Sequence, residues 1–213
     1  MLKLVVSALF VALTVADQCC TPDQWEGVAS GTLGSVTNGK SISAQTTALL
    51  SYDFTDMKVA ADITTIVAGM TSRNKTIIDY NKKMSYNYNE VTGDCTVSPF
   101  DQPFKKACVP DDAKQLGIFY YGAGDNMLNA TSYMLNRNDL TYYVSFTTAG
   151  CIPITEVAVG NMGPTATMIA TGFENITPGI KNSSVFDPPP ACQQAKVQHF
   201  QKSERRGLLG LHL

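Results

Sequence analysis

Phe173–Cys192, FENITPGIKNSSVFDPPPAC, is the stretch from which the rest of the chain is read. Pro178 and the run Pro188-Pro189-Pro190 remove backbone donors and fix φ, so no helix is expected to pass through it. Val185-Phe186 is an apolar pair in polar surroundings, and Cys192 closes the segment with a thiol that can bond far upstream. The expectation is an extended strap tied to a distant cysteine. Before it the chain reads as sheet, and after it as tail.

Upstream, apolar and polar residues alternate at period two, the pattern of half-buried strands. Leu50, Tyr52 and Phe54 share one strand face, and Met57, Val59, Ala61 and Ile63 share another. Thr76, Ile78 and Tyr80 alternate with Ile77, Asp79 and Asn81, and Met84, Tyr86 and Tyr88 with Ser85, Asn87 and Asn89. Asp53–Asp56 and Asn89–Asp94 supply turn chemistry between them. The first half therefore reads as an antiparallel meander. Residues 21–47, rich in Gly, Ser and Thr around the single Trp25, show no clear period.

Pro99–Ala113 contains three prolines and Cys108 and reads as a crossing loop. Alternation resumes at Leu116–Tyr121, Met127–Leu135 and Tyr142–Thr147, then at Ile152–Val159 and Thr165–Phe173. About ten strands at near-even spacing predict a mostly β sandwich or barrel rather than βαβ units. Helical character is confined to Ala195–Lys202, where Val197 and Phe200 stand three apart.

The N-terminus, MLKLVVSALFVALTVA, has Lys3 before an apolar run, with Thr14 and Ala16 suited to a signal-peptidase site. The run is too short to span a bilayer, which takes about 20 residues. The domain reading is thus a signal peptide at 1–16, a β domain at 17–192 and a helical or flexible tail at 193–213, with secretion as the destination. The charge balance is near neutral, −2 over the chain, and interspersed, which argues against nucleic acid as a partner. No second long apolar run predicts a stable membrane span. In a secreted chain the six cysteines, Cys19, Cys20, Cys95, Cys108, Cys151 and Cys192, imply three disulfides. Adjacent Cys19 and Cys20 should reach different partners. Four sequons mark N-glycan acceptors at Asn74, Asn129, Asn175 and Asn182; Pro178 just beyond its sequon makes Asn175 the weakest.

The two histidines, His199 and His212, both lie in the tail. A Ser-His-Asp or Cys-His mechanism has no base inside the domain, and a His-ligated zinc site has no ligands there. Paired carboxylates (Asp53/Asp56, Asp62, Asp79, Asp111/Asp112) sit mostly in turns, where solvated surface acids are the rule. No enzyme is expected. Calcium held by turn carboxylates is chemically easier and unplaced. Nine Tyr, nine Phe and eight Met, many on strands apolar on both faces, raise a cavity lined by adaptable side chains. Phe119, Tyr121, Tyr133 and Phe146 are its candidate wall.

Several segments together resemble the ependymin-related proteins. They are Cys20-Thr-Pro-Asp-Gln-Trp-Glu-Gly27, Leu50-Ser-Tyr-Asp53, Gly93-Asp-Cys95, Cys151-Ile-Pro-Ile-Thr-Glu156, Gly172-Phe-Glu-Asn175, Gly179-Ile and Val185-Phe-Asp-Pro-Pro-Pro-Ala-Cys192. The resemblance implies a half-barrel of two stacked, curved antiparallel sheets, similar to bacterial lipoprotein carriers, with a short C-terminal helix and a hydrophobic pocket between the sheets. It implies disulfides Cys20–Cys151 and Cys95–Cys192, which leave Cys19–Cys108. It brings no catalytic residues. It implies extracellular or, less readily, lysosomal residence, a tendency to homodimers, and links to calcium and extracellular matrix. The expected function is binding of a hydrophobic or lipid-like ligand without a cofactor. The alternative is a calcium-associated structural or adhesive component of an extracellular or mineralised matrix.

Overall fold

The computed structural model describes residues 18–198. The expected signal peptide, the distal tail and both histidines lie outside the described residues. Eleven strands follow one another: β1 (Gln24–Thr37), β2 (Lys40–Asp53), β3 (Lys58–Val67), β4 (Met70–Asp79), β5 (Met84–Asn89), β6 (Cys95–Pro99), β7 (Lys114–Ala123), β8 (Asn126–Arg137), β9 (Leu140–Thr147), β10 (Pro153–Met162) and β11 (Thr165–Pro178). The mostly β expectation holds. The strands form one open antiparallel sheet in the order β6-β5-β4-β3-β2-β1-β11-β10-β9-β8-β7. The two halves, expected as separate stacked sheets, join edge to edge because β1 pairs with β2 along one side and with β11 along the other.

At one end of the sheet the hairpins close on tight turns such as Asn38-Gly39 and Ala68-Gly69, all four residues at positive φ, the conformation that two-residue hairpin loops demand. At the other end carboxylates cap the turns. Asp53 Oδ1 accepts the Asp56 N–H at 2.8 Å and Asp79 Oδ1 accepts that of Lys82 at 2.9 Å, while back at the first end Asn89 Oδ1 accepts those of Val91 and Thr92 in the β5–β6 turn. Of the paired carboxylates, Asp53 and Asp79 are thus spent on turn geometry.

β1 and most of β2 fall in the stretch whose sequence shows no period, and the reason is packing. A Cβ at Gly27 would stand 2.3 Å from Ile176 Cδ1, beside a bulge in β11 where Asn175 takes positive φ. One at Gly31 would stand 2.8 Å from the Ala170 carbonyl. A side chain at Gly31 would press on backbone, and one at Gly27 would have to displace the end of Ile176; the missing side chains hide the alternation.

The first core lies on the face that carries Trp25. Trp25, Leu50, Tyr52, Ala61 and Phe173 form one cluster, and Leu135, Tyr142, Val144, Phe146 and Ala158 a second. The crossing loop at 100–113 runs over this face, paired with the N-terminal segment. Cys20 stands opposite Cys108, the Thr21 N–H donates to Ala107 O at 2.8 Å, and the Val109 N–H donates to Cys19 O at 2.7 Å. Phe104 and Ala107 pack into the first cluster, and Cys19, Val109 and Ala113 into the second. Tyr52 Oη accepts the buried Ala107 N–H at 3.1 Å. Burying each large apolar side chain contributes about 1.5–3 kcal/mol.

The strap crosses the opposite face. Ile180, Val185 and Phe186 pack on Ala60, Ile77 and Tyr86. It is not wholly extended: Ser183–Phe186 form a 3-10 turn, capped by Asn182 Oδ1 accepting from Ser184 N–H, and Pro190–Gln194 form the short helix α1. Pro190 tolerates helix at the first position because no intrahelical donor is needed there. The expected helix at Ala195–Lys202 is not found in its described part. Val197 bridges Val97 in parallel and the Gln198 N–H donates to Val97 O at 2.8 Å.

The disulfides are Cys19–Cys151, Cys20–Cys108 and Cys95–Cys192. The two neighbouring cysteines therefore exchange the partners expected of them. Adjacent residues of an extended segment point to opposite sides. Cys20 is directly across from Cys108 in a pair that exchanges no hydrogen bonds of its own, where side chains come closest, and Cys19 is turned toward Cys151.

Candidate ligand-binding face

Paired residues of antiparallel strands share a face, so the registers assign every strand residue to one side or the other. Nearly all strand charge falls opposite Trp25, on Glu26, Lys58, Asp62, Arg73, Lys75 and Glu174 among others. On the Trp25 face the strands carry Lys40 and Arg137 beside hairpin turns, and one further ionisable acid or base, Glu156. These three are the only acids and bases that the eleven strands carry on that side.

Glu156 lies in the middle of that face. Across the sheet its row runs Val144, Glu156, Thr171, Gly31, Thr46, Thr65. It is 4% exposed, while Thr171, Gly31, Thr46 and Thr65 are half-exposed. The row is a trough of small side chains between rows bearing Phe173, Ala29, Ala48 and Ile63 on one side and Ile169, Leu33, Ala44 and Val67 on the other. Burial alone pushes the Glu156 carboxyl up to about 8. Among the described residues no hydrogen bond or ion pair reaches it. It is therefore largely uncharged at neutral pH, and its polar capacity is unspent.

The four wall candidates do not come together. Tyr133 and Phe146 are on the Trp25 face with ring centroids 6.4 Å apart, inside the second cluster. Phe119 and Tyr121 pair edge-on at 5.2 Å on the opposite face of the exposed edge strand β7. A bulge between Gln115 and Gly117 is the cause: unbroken alternation would put Phe119 on the side of Tyr133, and one extra residue reverses it. Leu128 and Ala130 share the Phe119 side.

A shallow groove of about 460 Å³ lies elsewhere, at the hairpin ends of β1–β2 and β10–β11, with Val36, Ile42, Val159 and Met168 in its lining. Of the sequon asparagines, Asn129, Asn175 and Asn182 are exposed and Asn74 is half-buried mid-strand on the Trp25 face. Of the paired acids, Asp112 is held by Arg137 at 2.6 Å, which keeps its carboxyl below the usual range. Among the described residues no group of three or more His, Cys, Asp or Glu is placed to share a metal ion, and no helix is long and apolar enough to cross a membrane.

The fold and this face define a disulfide-braced, open antiparallel β-sheet protein with one side nearly free of charge. The chain belongs to the Ependymin family, whose model matches residues 68–192. It is similar to Ependymin-related protein 1 of Haliotis asinina, 32% identical over 132 residues, 58% of this chain and 66% of that relative. It is also similar to Mammalian ependymin-related protein 1 of Rattus norvegicus, 23% identical over 189 residues, covering 87% of this chain and 80% of that one. The chain spans just under two thirds of the Haliotis relatives' length, 66% and 64%. Among solved structures, an uncharacterized conserved protein from Thermus thermophilus shares the fold at a TM-score of 0.51 and 14% identity, over 85% of this chain and 91% of that one.

Proposed function

We propose that this protein is a secreted, disulfide-braced carrier that holds a hydrophobic or lipid-like ligand against the Trp25 face without transforming it. The observation that carries this reading is the partition of charge, since a strand face whose only acids and bases are Glu156 and, beside hairpin turns, Lys40 and Arg137 suits an apolar occupant. The half-exposed Leu33, Ile63, Val67 and Ile169 beside the trough offer apolar surface, and each Å² removed from water contributes about 25 cal/mol. Membership of the Ependymin family and three disulfides, which form in oxidising compartments, support secretion.

The test is extraction of lipids from protein purified natively from the medium of secreting cells, followed by mass spectrometry. One apolar class near stoichiometric amount supports the reading. Lipids at the level of a mock purification, together with calcium-dependent assembly of the protein, would favour the matrix role instead.

A further inference from the structure

We infer that Glu156 is the counter-ion for the head of a lipophilic monoamine, whose chain lies along the trough Thr171, Gly31, Thr46, Thr65. This rests on the apolar-ligand reading and names the chemical class of the ligand.

Three observations lead there. The first is that Glu156 is buried to 4% exposure yet has no partner among the described residues. Its carboxyl oxygens are not among the fully enclosed unpartnered side-chain atoms, which are Trp25 Nε1, Asp62 Oδ1 and Thr177 Oγ1, so the nearly buried carboxyl keeps an opening through which a donor can reach it. A ligand donor would satisfy it. The second is the sign of the charge. Glu156 stands alone on the central part of its face, with no Lys, Arg or His on the paired positions around it. An anionic head would bury net negative charge with nothing to neutralise it, which is the costly case. An ammonium head would be neutralised by the carboxylate, as buried charges require.

The third is shape. From β10 to β3 the row crosses four inter-strand gaps, roughly 19 Å at the usual strand spacing, and its side chains beyond Glu156 are Thr171, Gly31, Thr46 and Thr65. The Gly31 position is tight against β11 below, but it adds no side chain to the trough. Aliphatic rows bound the trough on either side. A long alkyl chain fits that floor, and its head reaches the carboxyl.

Proton traffic gives this pairing a signature. The titratable groups nearest Glu156 in register on its face are the phenols of Tyr142 on β9 and Tyr133 on β8, while β11 and β1 present none; the crossing loop over this face brings Asp101, Lys106 and Asp112, paired with Lys83, Asp23 and Arg137, together with Lys105 and Asp111. The carboxyl holds its proton at neutral pH because burial raises it to about 8. An alkylammonium that enters must displace that proton to water, one for each ligand bound.

The experiment is isothermal titration calorimetry of the intact protein with dodecylamine, dodecanol and dodecanoic acid below their micelle concentrations, at several pH values. The amine is expected to bind at least about tenfold tighter than the alcohol at pH 8, as a charge-assisted pair in a dry site supports. Between pH 6 and 7 its affinity should rise about tenfold, the signature of one displaced proton, with the alcohol's unchanged. Glu156→Gln should bring the amine down to the alcohol's level and leave the alcohol's binding intact. A pH-independent amine affinity, a preference for the acid, or an amine indifferent to Glu156→Gln would overturn the inference while leaving an apolar-ligand role standing. Binding of none of the three would overturn that role and the inference with it. If the variant does not fold, the wild-type pH profile decides alone.

Discussion

Glu156→Gln should change how stability depends on pH even without a ligand. In the unfolded chain the carboxyl ionises near its ordinary 4.5, whereas in the folded protein burial holds it protonated to about 8. Below 4.5 both states carry the proton and the site is neutral toward pH. Above it the unfolded state gains by ionising and the folded state does not, so stability falls as pH rises, until the folded carboxyl ionises too. At about 1.4 kcal/mol per pH unit, the window from 4.5 to about 8 bounds the loss at roughly 5 kcal/mol. Glutamine keeps size and polarity but cannot ionise. Urea unfolding of both proteins at pH 5, 6, 7 and 8, with disulfides intact, gives the difference directly, because all other titrating groups cancel. The variant should gain on the wild type by about 1 kcal/mol for each unit through that range. Parallel profiles from pH 5 to 8 would refute the reasoning, since they would mean Glu156 ionises alike in both states.

Two further expectations concern the brace over the Trp25 face. Non-reducing peptide mapping should recover Cys19–Cys151 and Cys20–Cys108; recovery of Cys20 joined to Cys151 would reject the pairing that the Cys20–Cys108 bridge imposes. Tyr52→Phe removes the acceptor of the buried Ala107 N–H and should destabilise by about 1–3 kcal/mol in chemical denaturation, with an unchanged unfolding midpoint counting against that hydrogen bond.

The legible parts of the fold were those where side chains alternate plainly. Leu50 to Asn89 reads as a meander because Leu50/Tyr52, Ile77/Ile78 and the tyrosines of β5 announce their faces, and Pro99–Ala113 reads as a crossing because three prolines break the pattern. β1 was hidden, since Gly27 beside Ile176 and Gly31 beside the β11 backbone show no side chain to alternate. Two errors came from single-residue displacements. The bulge at Leu116 put Phe119 and Tyr121 on the other face from Tyr133 and Phe146, and adjacency of Cys19 and Cys20 left their partners interchangeable without the Cys20–Cys108 bridge. Glu156 was visible only as part of a family-like segment. A lone acid in the otherwise uncharged run Ile152–Val159 was its one sequence signal, and its meaning depends on register, which brings small residues from four other strands into its row.

The central claim, that the charge-poor face is the ligand's, is tested most directly by placing one lysine on each side of the same strand. Thr46 lies in the trough on the Trp25 face and Thr47 faces the opposite way. Uptake of Nile red, a neutral apolar dye, is measured by fluorescence for Thr46→Lys, Thr47→Lys and the wild type. Thr46→Lys should lose most of the binding, because a dye bound in the trough would cover the ammonium and strip it of water with no partner in reach, while Thr47→Lys should match the wild type. Equal binding by both variants, or loss confined to Thr47→Lys, would contradict it.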